Sequence, residues 1–304
     1  MSGCSSSGGE DPQALLNDTF SGGGQIESGK LDLSLALSAS GAGTSTKQLS
    51  VSLSGPFQSE GSGKLPRFAL KLDAGVGGHG IGAGAIATGS ALYVQLAGTW
   101  FSTPPSTYKA IEEGFAQASR QASIGKVRST FSALGIEPAK WLSDPSDAGT
   151  ATIGGVSAVH LTAGVNVPAF LADVSKLSRA GSELGLSGPL PGAASISSTV
   201  IDGLARSIHG ARVDVYTGKD DHMLRRLEVN ATVVGTAQTQ ALLGGLSSAH
   251  VHVLLEFSDL NQPQSISAPP NPQPASGLLP ALQQLLGVLQ GAGSGSTLEP
   301  LVKG

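Results

Sequence analysis

The first periodic signal along the chain has a period of two. In Lys30-Leu31-Asp32-Leu33-Ser34-Leu35-Ala36-Leu37-Ser38, leucine falls on every odd position and a small or polar residue on every even one. That alternation predicts a half-buried antiparallel strand with one apolar and one wet face. It recurs at residues 49–54 and 68–73, and an apolar run at 91–96 leads into Gly98-Thr99-Trp100-Phe101, with Gly, Ser and Pro clusters between as turns. Ahead of this meander, residues 12–20 (PQALLNDTF) predict a short helix with Pro12 in its first turn, where the missing N–H is tolerated.

The period then changes. Tyr108, Ile111, Phe115, Ala118 and Ala122 are spaced by three and four, and a second run follows at Val127, Phe131 and Leu134, which predicts two amphipathic helices within 105–141. Strands resume at 151–167 across a Gly154-Gly155 turn. A helix over 168–184 opens on Pro168, a Gly/Pro loop follows at 188–192, and another helix covers 198–207. Three strands at 209–217, 223–234 and 249–257 close the body. The chain thus divides into a tether (1–11), a β-rich α+β body (12–261), a Pro-rich linker (262–276), an amphipathic helix (277–291) and a flexible tail (292–304). The helix carries Leu278, Leu279, Leu282, Leu285, Leu286 and Leu289 on a stripe without charge, and docking on its own body is the preferred reading over lying on a membrane.

Composition narrows the function. With 304 residues and 39% hydrophobic content the chain can bury a real core, but charged residues make up 13%, aromatics 4%, and there are 43 glycines, a profile closer to an envelope β protein than to a cytosolic enzyme. The net charge is −4 and no Lys/Arg cluster occurs, so nucleic acid is not an expected partner. No stretch reaches the ~18 apolar residues of a membrane-spanning helix.

The single cysteine, Cys4, follows Met1-Ser2-Gly3 and precedes Ser5-Ser6-Ser7-Gly8-Gly9-Glu10-Asp11. This resembles the end of a bacterial lipobox: an apolar residue at −3, small residues before the cysteine that receives diacylglycerol, then a polar tether too poor in apolar surface to fold. The reading requires a signal peptide ahead of Met1, with a basic segment and roughly 7–15 apolar residues. It places the protein in the bacterial cell envelope, on the outer face of the cytoplasmic membrane, anchored through Cys4. The competing reading is a chance cysteine in a disordered N-terminus.

Catalytic signatures are missing: there is no Gly-x-Ser-x-Gly elbow and no His-Glu-x-x-His helix, so neither an enzyme nor a cofactor is expected. His250 and His252 flank Val251 on a strand and share a face, as two metal ligands would, but no third ligand is near and an exposed polar face shared with Glu256 is the expected reading. Gly24-Gln-Ile-Glu-Ser-Gly29-Lys30 has most of a P-loop's spacing, yet Leu31 stands where magnesium needs Ser or Thr, and a strand follows instead of a helix. The Gly75–Gly84 stretch reads as a bend or turn between strands.

The order of elements, with Leu255-Glu256-Phe257-Ser258-Asp259-Leu260-Asn261-Gln262-Pro263-Gln264-Ser265-Ile266-Ser267-Ala268-Pro269-Pro270 at the end of the last strand, resembles the LolA-like lipoprotein carriers, in particular the mycobacterial LppX/LprG group. That group similarly ends on a Ser-Asp-x-x-x-Pro-x-x-Ile-x-x-Pro pattern; Ala14-Leu15-Leu16 and Trp100 are weaker matches. The resemblance spans about residues 12–270. It implies a curved antiparallel sheet, a half-barrel, with helical insertions covering an apolar concave face, and a role in binding acyl chains and carrying lipids or lipoglycans between membranes. Two features depart from it: the Leu-rich helix after Pro270 and the glycine-rich stretch at Gly75–Gly84.

A hydrocarbon ligand needs inward positions that are apolar and leave volume unfilled, since a packed core of density about 0.74 has no room for an acyl chain. The leucine face offers Leu31, Leu33, Leu35, Leu37, Val51, Leu53, Leu70, Leu72, Leu92 and Val94 as the lining. The competing reading is that these positions pack against the helices as ordinary core. On function, the alternative to a lipid carrier is a structural or sensory surface lipoprotein scaffold without a lipid ligand. Any protein partner is unknown from sequence.

Overall fold

The computed structural model describes residues 10–21, 26–41, 44–61, 63–76, 79–123, 138–170, 206–235, 240, 246–277 and 280. Cys4 and most of the tether, the run around Val127, Phe131 and Leu134, nearly all of the helices expected at 168–184 and 198–207, and the Leu-rich helix and tail lie outside the described residues.

Helix α1 (Pro12–Ser21) is followed by strands β1 (Ser28–Gly41), β2 (Thr44–Gln58), β3 (Arg67–Val76), β4 (His79–Ala87), β5 (Leu92–Leu96) and β6 (Thr99–Ser102). Helix α2 (Pro105–Ser123) leads to β7 (Leu142–Ile153) and β8 (Val156–Val165), and β9 (Ile208–Gly218), β10 (Leu224–Val234) and β11 (Leu246–Ser258) close the body. All eleven strands join one antiparallel sheet in the order β6-β5-β4-β3-β2-β1-β11-β10-β9-β8-β7. Two meanders thus meet where the first strand pairs with the last. The sheet is curved and unclosed, a half-barrel whose edges are β6 and β7.

Local chemistry accounts for the elements. Asp11 caps α1, accepting the Gln13 N–H on its carboxylate at 3.4 Å and the Leu15 N–H on its carbonyl at 2.9 Å, with Pro12 in the first turn as expected. Ala97 (φ 48) and Gly98 (φ 82) form the two-residue turn between β5 and β6, and Gly154 (φ 57) and Gly155 (φ 82) do the same between β7 and β8. Positive φ at both central residues is the hairpin geometry that matches strand twist. Gly55 sits at φ 144, where a Cβ would lie 1.9 Å from the Ala69 carbonyl oxygen, so the close approach of β2 to β3 requires glycine.

Two strand assignments differ from the sequence reading. The Gly75–Gly84 stretch is not merely a bend: β3 runs to Val76 and β4 begins at His79, with Gly80, Gly82 and Gly84 facing Gly75, Asp73 and Lys71 across the ladder. Gly84 packs closely: a Cβ there would meet the Trp100 ring at 3.0 Å, and the ring would have to give by a few tenths of an ångström. The second difference is β7, which starts at Leu142, well before residue 151. Its Asp144-Pro145-Ser146-Asp147 segment lacks the usual strand residues, but an edge strand tolerates proline and bulges. The register to β8 shifts twice, around Asp144 (φ 49) and Gly149 (φ 106).

The Pro-rich segment after β11 is held against the sheet. Ser28 Oγ donates to the Gln262 carbonyl (2.7 Å), the Gln264 N–H donates to Gln58 Oε1 (2.9 Å), and Gln273 exchanges backbone hydrogen bonds with Trp100 and Ser102 (both 2.8 Å). It therefore reaches the far edge and occupies free backbone groups of β6, which would otherwise invite pairing with another chain.

Candidate functional site

Strand pairing decides which residues share a face. Leu33 lies between Leu53 and Leu255, Leu35 between Val51 and Val253, and Leu37 between Leu49 and Val251. The row continues through Leu53–Leu72–Ala83–Leu96 on one side and Leu255–Leu227–Val215–Leu161 on the other. Cross-strand partners point the same way, so the ten lining residues named from sequence fall on one inner face. That face also includes Leu49, Ala74, Ala83, Ala85, Val251, Val253 and Leu255, which the sequence reading did not name.

The inner face is packed at its two ends. At the β7–β10 end, Leu15 and Leu16 of α1 form a core with Leu161, Val213 and Val215, joined by Leu142, Leu224, Leu227 and Val229. At the β3–β5 end, Tyr108 of α2 packs with Leu65, Ala87 and Leu92, joined by Phe68. Of the ten lining residues only Leu92 is buried, at 8% exposed, as a member of this second core. Leu31, Leu33, Leu35, Leu37, Val51, Leu53, Leu70 and Val94 are half-buried, and Leu72 is 38% exposed. The middle of the face, carried by β1, β2 and β11, contributes to neither core. Phe57 and Phe257 meet edge to face, with centroids 6.4 Å apart, beside this surface at the Gly29 end of β1. Farther along α2, Ile111 and Phe115 remain 41% and 37% exposed, in contrast to Tyr108 at its first turn, which is buried.

The outer face is polar and ordered. His160 Nε2 lies 2.8 Å from Asp214 Oδ1, Arg212 Nη2 donates to the same oxygen at 3.0 Å, and the His160 ring stacks on Tyr216 with centroids 4.3 Å apart. Burial works to raise the Asp214 pKa, but hydrogen bonds from Arg212 and His160 outweigh it and hold the carboxyl below its usual range. Arg226 lies 5.6 Å from the Tyr216 ring centroid and pairs with Glu256 at 2.6 Å. His252 Nδ1 sits 2.9 Å from Asn230 Oδ1, and His250 Nδ1 sits 3.2 Å from Thr232 Oγ1. Both histidines belong to this polar face, and among the described residues no group of three or more His, Cys, Asp or Glu side chains converges to hold a metal. Lys30, from the P-loop-like stretch, pairs with Asp259 at 2.7 Å.

Helix α1 is fastened to the sheet by polar contacts beside its leucines. Thr19 Oγ1 donates to Thr217 Oγ1 at 2.9 Å, and both threonines are buried. His222, in the turn between β9 and β10, lies 2.5 Å from Asp18 through Nδ1 and 3.5 Å from Glu10 through Nε2. The Asp18 hydrogen bond raises the His222 pKa above its usual value, against the opposing effect of burial, with Glu10, Asp18 and Asp221 adding attraction. No helix among the described residues is long and apolar enough to cross a membrane.

No protein-family model matches the chain, and no curated protein does. Among solved structures, the chain is similar to LprF from Mycobacterium bovis, at 12% identity over 85% of this chain and 96% of that one, with a TM-score of 0.39. It is similar to the lipoprotein LppX from Mycobacterium tuberculosis, at 13% identity over 84% and 97% of the two chains, TM-score 0.35. A LolA superfamily protein from Nitrosomonas europaea matches at 8% identity over 84% and 96%, TM-score 0.19. At such scores the likeness has no weight of its own, and the half-barrel stands on the strand pairing of this chain.

Proposed function

We propose that this chain is a non-enzymatic lipoprotein of the bacterial cell envelope, anchored through Cys4 to the outer face of the cytoplasmic membrane. Its inner face holds the acyl chains of a lipid or lipoglycan for transfer between membranes. One observation supports this most: Leu33, Leu35 and Leu37, flanked by Val51, Leu53, Val253 and Leu255, are left half-exposed between two packed ends. Full burial of a leucine is worth roughly 1.5–3 kcal/mol, and each methylene removed from water about 0.8 kcal/mol. About ten buried methylenes therefore contribute on the order of 8 kcal/mol, enough to outweigh a modest ordering cost. Two acyl chains on Cys4 meet the requirement for stable anchoring, which one chain alone does not.

The test uses a Cys4→Ser form exported with a signal peptide, so that covalent acyl chains do not confuse the result. Organic extraction and mass spectrometry of protein purified from the envelope fraction should recover acylated lipid in near-stoichiometric amount. Protein free of lipid, with no uptake of an added fluorescent fatty acid, would overturn the carrier reading. That result would favour the surface scaffold, whose partner surface would be the ordered outer face of His160, Asp214, Tyr216, Arg226 and Glu256.

A further inference from the structure

The Pro-rich segment that follows β11 ends against the inner face. Gln273 forms a bridge with Phe101 of β6, and a 3-10 turn at Ala275–Gly277 then carries the chain back to that residue. A Cβ on Gly277 would stand 2.9 Å from Phe101 Cε1. Phe101 pairs with Val94, one of the lining residues, so its ring points to the same face, where it is 3% exposed. Beyond Gly277 the structure describes Pro280, which is helical.

The sequence continues from there with Leu278, Leu282, Leu285, Leu286 and Leu289 at helical spacing, and no charged residue occurs between Asp259 and Glu299. The surface ahead of this stretch has the same character. Every inner-face position of β1 from Leu31 to Leu37, of β2 from Leu49 to Leu53 and of β3 from Phe68 to Val76 is apolar. Leu72 is 38% exposed there, and on α2 Ile111 and Phe115 are exposed as well, although they follow the buried Tyr108 at helical spacing. The reach is sufficient. Strands β6 and β2 are four places apart in the sheet, about 19 Å at 4.8 Å per strand, and a helix over Leu278–Leu289 would be about 18 Å long. A helix resting on a membrane usually carries Lys or Arg on its polar side, whereas an uncharged leucine stripe suits an uncharged apolar face.

We propose that the C-terminal stretch Leu278–Leu289 occupies the middle of the inner face as an internal ligand, and that an acyl chain binds by displacing it. The stretch keeps a wide apolar surface out of water while no lipid is held, and it sets the affinity that a cargo must exceed. This inference rests on the lipid-binding reading above and adds its regulation. A face covered in about nine molecules of ten lowers the apparent lipid affinity about tenfold.

The test uses the full chain in two ways. With photoreactive benzoylphenylalanine in place of Leu285, irradiation should crosslink the stretch to peptides of the same chain that contain Leu33–Leu37, Leu70–Leu72 or Ile111–Phe115, and saturating oleic acid should abolish those crosslinks. In fluorescence titration with cis-parinaric acid, a variant combining Leu282→Gln, Leu285→Gln and Leu289→Gln should bind about tenfold more tightly than the wild type. If that variant does not fold, the crosslinking of the otherwise unaltered chain decides the matter. Crosslinks to the outer face, between two copies of the chain, or to the lipid of added phosphatidylglycerol vesicles overturn the proposal, each naming a different occupant for the stretch. Inner-face crosslinks that persist under saturating oleic acid, or a folded variant that binds no more tightly than the wild type, overturn displacement while the lipid reading stands. Binding of cis-parinaric acid by neither protein overturns the lipid reading itself, and displacement with it.

Discussion

Gly154, in the turn between β7 and β8, lies against Ser258 at the end of β11: a Cβ on Gly154 would sit 3.4 Å from the Ser258 Cβ. Strands β9 and β10 intervene between β8 and β11. Neighbouring strands are about 4.8 Å apart, so a flat sheet would hold β8 and β11 roughly 14 Å from each other. The contact therefore measures the curl of the sheet at its base. Gly154→Val would place a β-branched residue at φ 57 and press it on Ser258. We predict a loss of about 1–3 kcal/mol, read as a lowered midpoint in urea unfolding.

Two other glycines separate backbone strain from steric collision. Gly210 has φ 58 and open space, with nothing within 4 Å of where a Cβ would stand, whereas at Gly55 (φ 144) the Cβ would fall 1.9 Å from a carbonyl oxygen. Gly210→Ala should cost about 1–2 kcal/mol, from the left-handed backbone alone. Gly55→Ala should cost clearly more, because β2 and β3 must separate to admit it. Equal unfolding midpoints for the two variants would contradict this account of the β2–β3 approach.

Attachment of α1 should depend on pH. The His222 pKa is raised in the folded protein by the Asp18 hydrogen bond, with Glu10 and Asp221 also facing it. A raised folded pKa means that the stabilisation is fully present below the unfolded value of about 6.5 and is lost as pH rises through the folded value. Comparing wild type with His222→Gln by urea unfolding should thus reveal a stability gap at pH 6 that closes by pH 9. A gap that widens with pH would show the sign to be wrong.

The packed ends and the open middle of the inner face should answer differently to mutation. Leu161 is 1% exposed inside the core under α1, so Leu161→Ala should cost about 2–5 kcal/mol. Leu35 belongs to neither core, and Leu35→Gln should change stability by less than about 1 kcal/mol. The same change should reduce fatty-acid binding several-fold, because a polar amide then faces hydrocarbon. A large stability loss in Leu35→Gln would mark that position as ordinary core.

Much of this arrangement is legible in the amino-acid order, and the parts that are not have physical causes. Alternation exposed the leucine face of β1, and Pro12, Gly154 and Gly155 marked a helix start and a hairpin turn correctly. The strands missed, β4 and the first part of β7, are those where glycine, proline and aspartate replace the usual strand residues, at a tight packing site and at a free edge. Val251, Val253 and Leu255 alternate as plainly as the leucines do, but their place in the same surface depends on β11 pairing with β1, a long-range adjacency that period-two patterning does not encode.

The central claim is that hydrocarbon lies on the middle of the inner face. A fatty acid carrying a photoreactive group at its chain end, irradiated with the protein and mapped by peptide mass spectrometry, tests it most directly. Crosslinks are predicted on peptides that contain Leu33–Leu37, Val51–Leu53 and Val251–Leu255. Crosslinks confined to the outer-face strand surface or to the chain termini, or none above an irradiated control protein, would contradict it.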